Sequence, residues 1–84
     1  MDLIKIGKYI AAKRKVLGLT QKQLAEKLNM SDKSVSKWER GICLPDVTVY
    51  LELCKILGIS INEFLAGEDI IEENIEQKSE ENIL

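Results

Sequence analysis

The chain has 84 residues, with 12 Lys/Arg against 14 Asp/Glu, no His and a formal net charge of −2. That length sets one small domain with a modest core. The absence of His beside only two cysteines excludes a Cys/His zinc site. No apolar run approaches the roughly 18 residues of a membrane span, and no leader pattern opens the chain, so a cytoplasmic, nucleoid-associated protein without a membrane partner is expected. The near-neutral total hides a segregation: residues 1–41 carry ten Lys/Arg and four Asp/Glu, a local net of +6. Residues 42–84 carry two Lys and ten Asp/Glu, a local net of −8. A basic half can meet a polyanion, although chance segregation of surface charge would give the same numbers.

Apolar residues recur at helical spacing throughout, and no segment alternates with period two for long. From Leu3, the positions Ile6, Ile10 and Leu17 share a face, and Gly18 supplies a stop. Thr20 with Gln23 forms a capping box, with Leu19 and Leu24 at staple spacing. After a break at Asn29-Met30, Ser31 caps a third segment, stapled by Met30 and Val35. The fourth starts after Pro45 with Asp46 as N-cap and ends before Gly58. Ser60 with Glu63 repeats the box, and Ile59 with Phe64 repeats the staple. Helices are therefore expected over residues 3–17, 21–28, 32–40, 47–57 and 61–66, joined by short links. Leu24, Ala25, Leu28, Val35, Trp38, Leu44, Val47, Leu51, Cys54, Leu57, Phe64 and Leu65 are expected to join Ile6, Ile10 and Leu17 in one core. Trp38 reads as a core anchor rather than a nucleobase stacker, and Cys43 and Cys54 read as small, buried or half-buried hydrophobes.

The third segment carries the chemistry. Advancing about 100° per residue, Lys33, Ser36, Lys37 and Arg40 share one face, while Val35 and Trp38 point to the other. A short helix that shows Lys, Ser, Lys and Arg to solvent has the size to enter a DNA major groove. Glu39 falls on the Val35 side, where a lone carboxylate is costly to desolvate, and Arg14 borders the apolar stripe of the first helix. The two are expected to form a charge-assisted pair fixing helix three against helix one; separate solvation is the alternative. Lys13 falls mid-stripe, its stem covering core surface while the ammonium reaches water.

The run GLTQKQLAEKLNMSDKSVSKWERGICLPD resembles the helix-turn-helix domain of the lambda-repressor/Cro class, the XRE family. The similarity extends from Ile6 to Leu65 and is most specific over Thr20 to Gly41. It implies an all-α, five-helix domain whose helix-turn-helix lies at helices two and three and whose third helix is the recognition helix. It points to the same Arg14 and Glu39 pair, and Lys13 stands where many relatives are apolar.

On that resemblance Lys33 and Lys37 read bases, with guanine O6 or N7 as the expected acceptors. Ser34 bonds a base edge or a phosphate. Asp32 accepts from a cytosine amino group, repels the backbone, or simply suits a helix N-terminus without a DNA role. Gln21, at the first position of helix two, matches the family's phosphate contact. Lys22, Arg40 and Lys15 are further phosphate candidates, with Ser36 and with Ser31, which is first a helix cap. The expected partner is double-stranded DNA, probed as an inverted-repeat operator by a homodimer that is weak or completed on DNA. The dimer surface is expected around helix five.

The domain is expected over 1–67, with 68–84 an acidic tail holding seven acidic residues and one Lys. Three readings of the tail compete: a linker, a docking or oligomerisation helix, or an arm over the basic face of helix three. No paired carboxylates, glycine-rich phosphate loop or ligand cluster points to an enzyme, a cofactor, a metal or a small-molecule ligand. The rival is an antitoxin-like or coactivator-like protein-interaction module on the same fold. Repression is favoured over activation by family analogy alone.

Overall fold

The computed structural model describes residues 1–71. Five helices follow in order: α1 (Leu3–Val16), α2 (Gln21–Lys27), α3 (Asp32–Glu39), α4 (Val47–Leu57) and α5 (Ile61–Ala66), with no strand among the described residues. Each starts at an oxygen-bearing cap. Asp2 accepts from the Lys5 amide, Ser31 from Ser34 and Asp46 from Thr48, while Thr20/Gln23 and Ser60/Glu63 close reciprocal capping boxes. The first three helices end one residue before the sequence pattern suggested. Leu17, Leu28 and Arg40 are C-caps whose amides turn back into the last helical turn.

Ile6, Ile10, Leu24, Ala25, Val35, Trp38, Leu53, Cys54, Leu57 and Phe64 form the buried cluster, with Leu28, Leu44, Tyr50, Ile59 and Leu65 packed half-buried around it. Three expected core residues are not in it: Leu17 is 48% exposed, Val47 71% and Leu51 75%. Leu17 lies past the last turn of α1, on the lip of the connection to α2. In α4 eight of eleven residues are apolar (VTVYLELCKIL), so the sequence period does not select a face. The packing does, turning Tyr50, Leu53, Cys54 and Leu57 inward at the i, i+3, i+4, i+7 spacing and leaving Val47 and Leu51 outside. Leu53 is accordingly a core residue that the pattern missed. Cys43 is exposed rather than half-buried.

Helix α1 packs against α3, α4 and α5, while α2 packs on α3. Gly7 sets how close α3 comes. A β-carbon there would fall on the Trp38 carbonyl oxygen and 2.7 Å from that of Glu39. On the α5 side the first residues past Gly67 run along α1. Lys5 Nζ donates to Glu68 Oε1 at 2.6 Å, Lys13 Nζ to Asp69 Oδ1 at 2.7 Å, and the Tyr9 hydroxyl to Asp69 Oδ1 at 2.8 Å. The Tyr9 ring is buried, another core member the pattern did not reveal. Burial, and after it the bond to Asp69, pushes its hydroxyl pKa well above the ordinary tyrosine value. Glu68 and Asp69 thus meet α1, not the face of α3; the three readings of the tail otherwise concern residues 72–84, outside the described residues.

Candidate nucleic-acid interface

The turn between α2 and α3 is made by Asn29, whose φ of 56° is a left-handed conformation that asparagine tolerates better than other non-glycine residues. The Met30 amide then reaches back to the Ala25 carbonyl at 2.8 Å, closing the end of α2. Ser31 follows at once as the cap of α3, so the two helices are joined by four residues with little freedom between them.

Helix α3 is anchored from behind. Val35 is fully buried and Trp38 is 4% exposed. At its last residue the carboxylate of Glu39 meets Arg14 through two parallel bonds, Nε to Oε2 at 2.7 Å and Nη2 to Oε1 at 2.9 Å. A third guanidinium donor, Nη1, reaches the Leu19 carbonyl at 2.7 Å. The side chains are only 10% and 6% exposed, so the fork-to-fork geometry is largely dry. Hydrogen bonding to Glu39 holds the Arg14 guanidinium above its ordinary pKa despite burial, so it stays charged. Glu39 Oε1 also accepts from Gln21 Nε2 at 3.0 Å. One carboxylate therefore ties the start of α2 and the end of α3 to α1. The sequence reading paired Arg14 with Glu39 but did not connect Gln21 to them; that bond depends on the angle between α2 and α3 and leaves no mark in residue spacing.

The outer face is an open concavity of about 300 Å³ lined by Gln21, Asp32, Lys33, Ser36, Lys37 and Arg40. Among the described residues neither Lys33 nor Lys37 is in an ion pair. Arg40 Nε is folded back onto Ser36, to its carbonyl at 3.3 Å and its hydroxyl at 3.2 Å, which leaves the terminal guanidinium nitrogens for another acceptor.

The domain of the P22 c2 repressor, solved with a synthetic operator, superposes on this arrangement. Its TM-score is 0.71 at 33% identity, covering 75% of this chain and 96% of that one. A helix-turn-helix family model matches residues 10–64. The chain belongs to the XRE-type helix-turn-helix family. Curated relatives include the transcriptional activator BcrR of Enterococcus faecalis, 42% identical over 53 residues that make up 63% of this chain and 26% of BcrR. The transcriptional regulator ImmR of Bacillus subtilis is 32% identical over 69 residues, 82% of this chain and 54% of ImmR. The chain thus spans between about a quarter and about half the length of these relatives.

The remaining expected site residues of this helix-turn-helix domain lie apart from the concavity. Lys22 and Lys15 are exposed but do not line it. Ser31 and Ser34 do not line it either; their hydroxyls are 3.2 Å apart in a mutual hydrogen bond, and Ser31 Oγ also accepts the Ser34 amide at 3.4 Å.

Proposed function

We propose that this domain is a sequence-specific double-stranded DNA-binding module of a transcription regulator, repressor rather than activator, that sets α3 into the major groove. The observation that carries the reading is one open face on which Lys33, Lys37 and Arg40 converge with Asp32 and Gln21, backed by a helix whose other side is held by Val35 and Trp38. Lys33 and Lys37, one turn apart and free of intramolecular partners among the described residues, donate to guanine edges. Asp32 accepts from a cytosine amino group, and Ser34 contacts a base edge or a phosphate.

Gln21, with one amide hydrogen committed to Glu39, offers the other and the helix N-terminus to phosphate. Lys22, Arg40, Ser31, Ser36 and Lys15 complete the phosphate rim. The unit of recognition is residues 1–67, with 68–84 an appendage, and two copies engage an inverted repeat because one module contacts few base pairs. The likeness to the P22 c2 repressor, solved in complex with a synthetic operator, supports the DNA-binding reading. The role is binding rather than catalysis, carried out in the cytoplasm on the nucleoid; no described helix is long and apolar enough to cross a membrane. A protein-interaction role for the α3 face is disfavoured by its lining, which holds no large apolar side chain.

The test is selection from a random duplex pool at physiological salt with the full chain. The expected result is an enriched motif with G·C pairs in two halves related by a two-fold axis. Recovery of unenriched DNA, or of binding that Lys33→Ala and Lys37→Ala leave unchanged, overturns the reading.

A further inference from the structure

Past α5 the chain stays against the domain. Gly67 lies so close to α1 that a β-carbon there would come within 3.0 Å of Lys5 Cγ and 3.1 Å of the Ile6 amide nitrogen. Glu68 then meets Lys5, Asp69 meets both Tyr9 and Lys13, and the Ile70 amide reaches Glu63 Oε2 at 3.0 Å. The contacts on α1 advance from Lys5 through Tyr9 to Lys13, one turn at a step, so residues 67–70 form a strap that runs toward the C-terminal end of α1. The next position on that ridge is Leu17, about 6 Å beyond Lys13. Leu17 is 48% exposed, and with Leu19, Ile56 and Lys27 it lines an open groove of about 360 Å³. The strap therefore points along α1 at an aliphatic groove.

The sequence that continues the strap suits that groove. Glu72-Glu73-Asn74-Ile75-Glu76 carries one large aliphatic side chain between carboxylates. The groove offers three aliphatic side chains and the exposed Lys27 ammonium, which is in no ion pair among the described residues. Five residues from Ile70 to Ile75 span about 7.5 Å if coiled as a helical turn and about 17 Å if extended. Either covers the step of about 6 Å from Lys13 to Leu17. The adjoining hollow, which shares Leu19 and Lys27 with Gln23 and Glu26, presents a carboxylate of its own and repels an acidic segment. Rooted by the strap, the segment meets the groove at an effective concentration on the order of millimolar. A contact too weak to form between separate molecules is then populated within one.

We propose that the groove of Leu17, Leu19 and Ile56 is the docking site for residues 72–76 of this same chain, with Ile75 seated among the three aliphatic side chains and the glutamates beside it facing Lys27. The strap sets the register, and the groove completes the attachment. The acidic segment is thus fastened to its own domain, neither covering α3 nor joining two copies. This attachment rests on no part of the DNA-binding reading.

The experiment is paramagnetic relaxation in the full chain by NMR. A nitroxide is placed at Gln77→Cys in a Cys43→Ala background, where the remaining thiol, Cys54, is buried. The expected result is selective broadening of the Leu17, Leu19, Lys27 and Ile56 amides, with those of Lys33 and Lys37 unaffected. Ile75→Ser, and separately Leu17→Ser, abolish the broadening and leave the circular dichroism spectrum unchanged, since Ile75 lies beyond α5 in the chain and Leu17 is half-exposed. No broadening at the groove, broadening at Lys33 and Lys37 instead, or broadening that survives either substitution overturns the inference. So does broadening of an isotope-labelled chain without nitroxide when it is mixed with the nitroxide-bearing one, because the segment then docks on a second copy. Each of these outcomes is independent of whether the duplex selection finds a motif.

Discussion

Replacing Arg14 with Met isolates the interaction on which the position of α3 depends. The substitution keeps a long side chain against α1 but removes three donors, two to Glu39 at 2.7 and 2.9 Å and one to the Leu19 carbonyl at 2.7 Å. Glu39 is left 6% exposed with the Gln21 amide as its remaining partner. Breaking a buried pair by removing one member costs about 3–5 kcal/mol, because an uncompensated charge stays behind. A domain of this size has roughly 5 kcal/mol or somewhat more to lose, so the variant should be close to unfolding at room temperature. At about 4–8 °C per kcal/mol, the midpoint falls by more than about 12 °C. Trp38, the single tryptophan and the residue before Glu39, reports the urea transition. Arg14→Met combined with Glu39→Leu removes the stranded charge and should recover much of the loss. A loss below about 0.5 kcal/mol, the range of solvent-exposed pairs, would refute the reasoning.

Gly7→Ala decides between two opposed tendencies. Ala is favoured over Gly by about 0.5–1 kcal/mol in a helix interior, but here its β-carbon meets the Trp38 and Glu39 carbonyls. Thermal melts should show net destabilisation of about 1–3 kcal/mol, and a raised midpoint would mean that α1 and α3 are not in backbone contact. On a selected duplex, Lys37→Ala should cost about 1–3 kcal/mol and relax preference at one base position, as read by competition binding. Lys22→Ala should weaken all sequences alike and lower the salt slope by about one. Lys13, first, and Tyr9 hold the Asp69 carboxyl below the ordinary Asp value. Its contact with α1 is therefore fully present above about pH 4. It is lost as pH falls through the depressed value, to be followed by the NMR shift of the Ile70 amide, which donates to Glu63 Oε2 at 3.0 Å. Asp69→Asn should lower the alkaline midpoint of Tyr9 in a Tyr50→Phe background, because that carboxylate is part of what raises it.

Element order was legible because local chemistry decides it: capping boxes at Thr20 and Ser60, single-residue caps at Ser31 and Asp46, and stops at Gly18 and Gly58 all act within one turn. The cationic side of α3 was legible for the same reason, since Lys33, Ser36, Lys37 and Arg40 fall together on any helix. Legibility failed where a choice belongs to the assembled core. In α4 both Leu51 and Leu53 satisfy an apolar pattern, and only packing against α1 and α5 selects Leu53. Gly7 looked like an ordinary helical glycine until the neighbouring backbone was in place. Tyr9 sits among Lys5, Lys8 and Lys13 in a sequence that suggests a surface, and the acceptor of its hydroxyl is Asp69, sixty residues away.

The convergence on Glu39 bears on function as well as on stability. A recognition helix free to rock would lose part of its binding energy each time it is ordered on a ligand. Here α1, α2 and α3 are fastened through one carboxylate by Arg14 and Gln21, and α3 is seated against α1 at Gly7. Its orientation is thus settled when the chain folds. Gln21 is where the two roles meet. One hydrogen of its Nε2 is committed to the frame, and the side chain also lines the concavity with Asp32, Lys33, Ser36, Lys37 and Arg40. Under the proposed reading, the group that grips phosphate at the rim is therefore positioned by the same ion pair that holds the probe, and the two cannot drift apart while Glu39 keeps both partners.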